Sequence, residues 1–143
     1  MTTVFETSAG GIVYKKEHDI FLWLVVKHKG AGHWGFPKGH IGDNHENESS
    51  DEASLREVRE EGGVVARIIY PSPGSTNYVY KRDSVLYKKT VHYFLMEYVS
   101  GNINNHDDEI IDAKFFAEEE LMKTLTFEND KKAFKKLKLF VKI

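Results

Sequence analysis

Apolar and polar positions divide the chain into strand-like and helix-like segments. Thr3 to Tyr14 and Ile20 to Lys29 are rich in β-branched and aromatic residues, with the polar stretch Lys16-Glu17-His18-Asp19 between them. That pattern predicts two strands joined by a turn. Residues 30–47 are dense in Gly, His and Asn and read as one long loop. A helix is predicted from Ser49 to Glu61, with Ser49 or Ser50 as N-cap, Asp51 and Glu52 in the first turn and Gly62-Gly63 as the stop. Val64 to Tyr70, Thr76 to Tyr80 and Tyr87 to Val99 have strand character, and the last alternates as a half-buried strand does. Ile110 to Phe116 is a short final strand. Glu118 to Leu125 and Glu128 to Phe140 are helical by period; Phe134, Leu137 and Val141 share one face of the second and its lysines take the others. Strands, one helix, strands, then helices predict an α+β or layered α/β/α arrangement.

Composition narrows the class. A chain of 143 residues is the length of one domain with a single real core. Its hydrophobic fraction of 41% argues against disorder. With no cysteine there is no disulfide framework, thiolate zinc site or cysteine nucleophile, which fits a reducing cytoplasm. The longest apolar run, Ile20 to Val26, is far short of the ~20 residues of a membrane helix. Met1 to Glu6 has no basic stretch before an apolar one, so no signal peptide is expected. Twenty Lys and Arg against 22 Asp and Glu give a net charge of −2, but the charges are segregated. Asp43 to Glu61 holds eight acids and two arginines, whereas Lys131 to Ile143 holds six lysines and no acid.

The acidic segment carries the candidate chemistry. At about 100° per residue, Glu57, Glu60 and Glu61 share one helix face, Leu55 and Val58 point towards a core, and Arg56 stands four residues before Glu60. Three carboxylates on one face repel, each like pair costing roughly 0.2–0.5 kcal/mol. A hard divalent cation offsets that repulsion, because oxygen ligands suit magnesium or manganese. A solvated acidic face is the ordinary alternative.

The surrounding residues resemble a known family. Arg56-Glu57-Val58-Arg59-Glu60-Glu61-Gly62-Gly63-Val64, with Glu48 eight positions before Arg56, is similar to the second half of the Nudix box of MutT-like pyrophosphohydrolases. Trp34-Gly35-Phe36-Pro37-Lys38-Gly39-His40-Ile41 resembles that family's lead-in. Two departures stand out. Eight residues separate Gly39 from Glu48 where the family has five, which reads as a three-residue insertion in the 40–47 loop, and Gly62 stands where Thr or Ala is usual. The resemblance implies an α/β fold: an α/β/α sandwich with a mixed central β-sheet and the Nudix loop-helix motif, one domain over residues 1–143. It implies Mg2+ or Mn2+ held by Glu57, Glu60 and Glu61 with the Gly39 carbonyl. It makes Glu48 and Arg56 the pair that braces helix and loop. The implied reaction is attack of a metal-activated water on phosphorus, with a glutamate as base.

A narrower likeness, to diadenosine tetraphosphate hydrolases, rests on His33-Trp34, Asn77-Tyr78-Val79, Lys89 to Met96 and Glu109 to Phe116. It implies Glu109 as a further metal-binding or water-orienting carboxylate. His33, Lys38 and Lys89 become phosphate contacts and Tyr78 the platform for adenine, with Tyr80, Tyr87 and Tyr93 competing for that role. The implied reaction is asymmetric hydrolysis of diadenosine tetraphosphate to ATP and AMP by a monomer or weak dimer without membrane contact. The alternatives are pyrophosphate removal from RNA 5′ ends with help from the basic tail, house-cleaning of nucleoside triphosphates, and a regulatory module that binds nucleotide without cleaving it.

Overall fold

The computed structural model describes residues 1–42 and 46–141. The elements are β1 (Thr2–Glu17), β2 (Ile20–His28), β3 (Trp34–Gly35), β4 (Lys38–His40), α1 (Ser50–Gly62), β5 (Val64–Ile68), β6 (Gly74–Arg82), β7 (Val85–Gly101), β8 (Ile110–Phe116), α2 (Glu118–Thr124) and α3 (Glu128–Leu137). Single 3₁₀ turns lie at Ile103–Asn105 and Lys138–Phe140.

All eight strands join one mixed sheet. β1 and β7 run parallel at its centre, from Thr2 opposite Val85 to Tyr14 opposite Glu97. Every other pairing is antiparallel: β2 and β4 on the far side of β1, β5 and β6 on the far side of β7, and β3 and β8 on β2. Side chains alternate across the strands, so each long strand feeds two cores. One core packs Ile12, Trp23, Val25, Val91, Tyr93 and Leu95 against Leu121, Phe134 and Leu137 of α2 and α3. The other packs Val13, Leu24, Val26, Phe94 and Met96 against Val58 of α1. This is the expected α/β/α layering with a mixed sheet.

Besides small shifts at strand ends, four departures from expectation stand out. The β1–β2 turn is the pair His18-Asp19, both at positive φ, because Lys16 and Glu17 still pair across the hairpin. The 30–47 loop contains β3 and β4, whose pairing comes from β1 and β2 and leaves no mark in local sequence. β7 is buried on both faces from Tyr93 to Met96, since helices cover both sides of the sheet there. α3 stops at Leu137 and continues only as a 3₁₀ turn.

Ser49 is the N-cap of α1, in a reciprocal capping box with Glu52. Gly63 ends the helix in the left-handed conformation, and its N–H donates to the Arg59 carbonyl. Gly62, unusual for the resembled family, lies where a Cβ would stand 2.8 Å from Leu24 Cδ2. Close packing of α1 on the sheet therefore favours the missing side chain. Among the described residues no helix is long and apolar enough to cross a membrane. The centre of the 40–47 insertion and the end of the basic tail (Lys142, Ile143) lie outside the described residues.

Candidate active site

α1 packs across β1 and β4, which brings its acidic face against the strand that carries Lys38 and Gly39. The result is a polar cavity of about 360 Å³. Its walls include Lys38, Gly39, Arg56, Glu57, Glu60, Glu61, Lys89 and Glu109, all expected from sequence, together with His28, His40 and Asp107, which were not.

Arg56 organises the acidic side. Its Nε donates to Glu48 Oε2 at 2.7 Å and its Nη2 to Glu48 Oε1 at 2.9 Å, a bidentate fork. Nη2 also donates to the His40 carbonyl at 3.2 Å, and the Gly42 N–H donates to Glu48 Oε1 at 3.1 Å. Helix, β4 and loop are thus tied at one point, with Glu48 behind the cavity wall. Nη1 reaches further than a brace requires, donating to Glu57 Oε1 at 2.6 Å and Glu60 Oε2 at 3.2 Å.

Glu57 and Glu61 are buried and Glu60 is exposed. Burial pushes the Glu61 carboxyl up to about 8, although the Lys38 backbone N–H donates to its Oε1 at 3.1 Å. Burial also raises Glu57, against the pull of Arg56. Gly39 makes room for Glu57: a Cβ there would stand 2.2 Å from the Glu57 Cδ. On the basic side, Lys89 is lowered to about 8 by burial and by the nearby Lys38. His28 is lowered to about 4 by burial and by Lys38, so it is neutral at pH 7. Its buried Nε2 has no hydrogen-bond partner among the described residues and lies 3.9 Å from Glu61 Oε1. A register shift in the β2–β8 pairing between Lys27 and His28 accompanies this placement. Sequence periodicity gave no hint of that shift.

Among the described residues, no three acidic or imidazole groups form a ready-made metal cage. The donor set nonetheless suits a hard divalent cation. Two buried carboxylates, Glu57 and Glu61, line the same cavity, and Glu57 lies against Gly39 where a Cβ would displace it. Magnesium takes one or two carboxylates and completes its shell with water and substrate phosphate.

A second cavity, about 510 Å³, shares Lys38 and Lys89 with the first and is lined by His33, Tyr78, Val79, Tyr80 and Phe127. Tyr78 is half-buried and meets the Phe127 ring edge to face, with centroids 6.0 Å apart. Phe127 also meets His33, at 4.7 Å. Phe127 was missed because it stands alone before a lysine-rich helix and belongs to no apolar stripe. Of the competing tyrosines, Tyr93 is fully buried and cannot meet a ligand. Tyr87 is stacked on Tyr80, with centroids 4.9 Å apart, and does not line the cavity.

The chain matches the NUDIX domain model over residues 4–137 and belongs to the Nudix family. A Mycobacterium tuberculosis protein named as a mutator protein, MutT4, is 30% identical over 138 residues, 92% of this chain. The chain spans about half, 54%, of the length of that relative. Among solved structures, a C. elegans Ap4A hydrolase in a binary complex has a TM-score of 0.72 at 21% identity, covering 94% of this chain and 96% of that one. The NUDIX domain of Shewanella oneidensis NrtR, complexed with ADP ribose, has a TM-score of 0.70 at 17% identity, covering 99% and 90%. At these identities the two structures establish the fold alone.

Proposed function

We propose that the chain is a Mg2+- or Mn2+-dependent pyrophosphohydrolase, acting as one domain, that hydrolyses diadenosine tetraphosphate asymmetrically to ATP and AMP. The observation that carries this reading is the junction of the two cavities at Lys38 and Lys89: acids on one side, aromatic rings on the other, cations between. A polyphosphate chain with a base at its end has that sequence of chemistries. The Ap4A in the name of the C. elegans neighbour and the ADP ribose bound by the NrtR domain share this plan of base and linked phosphates.

Glu57, Glu60 and Glu61, with Glu109 lining the same cavity, would hold the cation. When bound, it neutralises phosphoryl oxygens and lowers the pKa of an attacking water. Lys38 and Lys89 neutralise the remaining phosphate charge, and Lys89, half desolvated, gains most from an anion. Tyr78 and Phe127 hold the base; such stacking contributes about 1–3 kcal/mol per base in other nucleic-acid binders. In hydrolysis the water oxygen bonds to phosphorus as the bridging P–O bond breaks. Glu60 or Glu109, both exposed at the cavity, takes the water proton.

The test is a panel of dinucleoside polyphosphates, nucleoside triphosphates and 5′-triphosphate RNA with each metal. Equal release of ATP and AMP from diadenosine tetraphosphate, abolished by EDTA, is expected. Unchanged release in EDTA overturns the metal-dependent reading. Faster turnover of RNA, with binding that weakens steeply as salt rises, favours RNA 5′ ends.

A further inference from the structure

Asp130 is 1% exposed, carries a carboxylate on a helix otherwise rich in solvent-facing lysines, and makes no ion pair among the described residues. Its Oδ1 accepts the Tyr78 hydroxyl at 2.7 Å and the Tyr93 hydroxyl at 3.0 Å. Its Oδ2 faces Gly35, where a Cβ would stand 3.3 Å away. Its own N–H donates at 3.2 Å to the carbonyl of Phe127, the N-cap residue of α3. Asp130 therefore meets two of the aromatic residues that line the second cavity, Tyr78 through its carboxylate and Phe127 through its backbone.

Burying a carboxylate without a cation costs folding energy, and an apolar group of similar size often serves stability as well or better. What an acid offers here is direction. Tyr78 turns about its own side-chain torsions, and a single acceptor shared with the immobile Tyr93 fixes where its hydroxyl, and so the long axis of its ring, must lie. Phe127 is tied to the Asp130 backbone and packs its ring edge to face against Tyr78.

Resting on the reading of the second cavity as a base site, we propose that Asp130 is a positioning residue for base recognition: it locks the Tyr78 ring edge to face against Phe127 and so preforms the slot for the nucleobase. It acts through Tyr78 and touches no phosphate.

The test compares Mg2+-supported binding of ADP with that of inorganic tripolyphosphate, a probe without a base, by calorimetry. Asp130→Leu is expected to weaken ADP at least tenfold and tripolyphosphate less than twofold. Asp130→Asn, which keeps an acceptor oxygen, is expected to stay within threefold of the parent for both. Tyr78→Phe cuts the same hydrogen bond from the other side, so the selective loss is still read if Asp130→Leu fails to fold. A Tyr78→Phe, Asp130→Leu pair is expected to be no worse than Asp130→Leu alone. Equal weakening of both probes, or none, overturns the positioning role alone. A parent protein that binds tripolyphosphate but gains nothing from the base overturns the base-site reading and this proposal with it.

Discussion

The Arg56 guanidinium holds Glu48 through two parallel hydrogen bonds, at 2.7 and 2.9 Å, and spends its remaining nitrogen on Glu57 and Glu60. Arg56 and Glu48 both have buried side chains. Removing the arginine takes the fork from Glu48 and the cation from beside Glu57, and breaking a buried pair costs about 3–5 kcal/mol. Arg56→Ala is therefore expected to lower the unfolding free energy, read from urea denaturation, by that amount. Arg56→Lys recovers little, because a single ammonium cannot form the fork. A loss below about 1 kcal/mol for Arg56→Ala would show the pair to behave as an exposed one.

The metal-free protein is expected to be least stable near pH 8. Glu61 has a folded value of about 8 against an ordinary 4.5, so between those values the folded state holds more protons and stability falls as pH rises. Glu57, also raised, acts in the same sense. His28, lowered from 6.5 to about 4, acts the opposite way between those values and offsets part of the fall. From pH 6.5 to 8 the carboxyls dominate, and Glu61 alone removes about 2 kcal/mol, offset only near pH 8 as Lys89 begins to titrate. Above pH 8, Lys89, lowered from 10.5 to about 8, makes stability rise again because the unfolded state binds the extra proton. Denaturation in EDTA at pH 6.5, 7.2 and 8 reads the slope. Magnesium should flatten it, since a bound cation favours the charged carboxylates. A flat profile without metal would refute the raised carboxyl.

Lys89 predicts a second pH effect, on substrate binding rather than folding. Its ammonium is charged below about 8 and neutral above. KM for the polyphosphate substrate should therefore rise as pH passes 8, while Lys89→Met raises KM at pH 7 and removes the dependence. An unchanged KM profile in Lys89→Met excludes the lysine from phosphate contact.

The acidic half of the site was legible in sequence because Glu57, Glu60 and Glu61 lie on one helix, where spacing alone sets the face. Lys38 and Gly39 were legible through the motif around them. What stayed hidden depends on contacts distant in sequence. His28 reaches the cavity at an irregularity in strand pairing. Phe127 and Asp130 acquire their roles from Tyr78, some fifty residues earlier. β3 and β4 exist only because β1 and β2 offer them backbone partners. The two-sided burial of β7 was missed for the same reason, since a half-buried pattern in isolation says nothing about a helix docking on the other face.

Gly39 tests the geometry of the opening glycine, because Gly42, with five residues between it and Glu48, matches the family's spacing where Gly39 does not. The alternative, Gly42, sits by the loop, where its N–H binds Glu48. Gly39 sits against the Glu57 carboxylate, with no room for a Cβ. Gly39→Ala must push that carboxylate aside, and a side-chain end moves more easily than backbone. The expected result is a small loss of stability, about 1–2 kcal/mol by analogy with other overpacked sites. Turnover with saturating magnesium should fall by at least tenfold, because Glu57 no longer faces the cavity as the parent holds it. Gly42→Ala, in the left-handed region at φ 80°, should instead lose stability through strain and keep its turnover per folded molecule. Measuring melting temperature and turnover on both variants decides the matter. If Gly42→Ala carries the catalytic loss and Gly39→Ala does not, the motif begins three residues later.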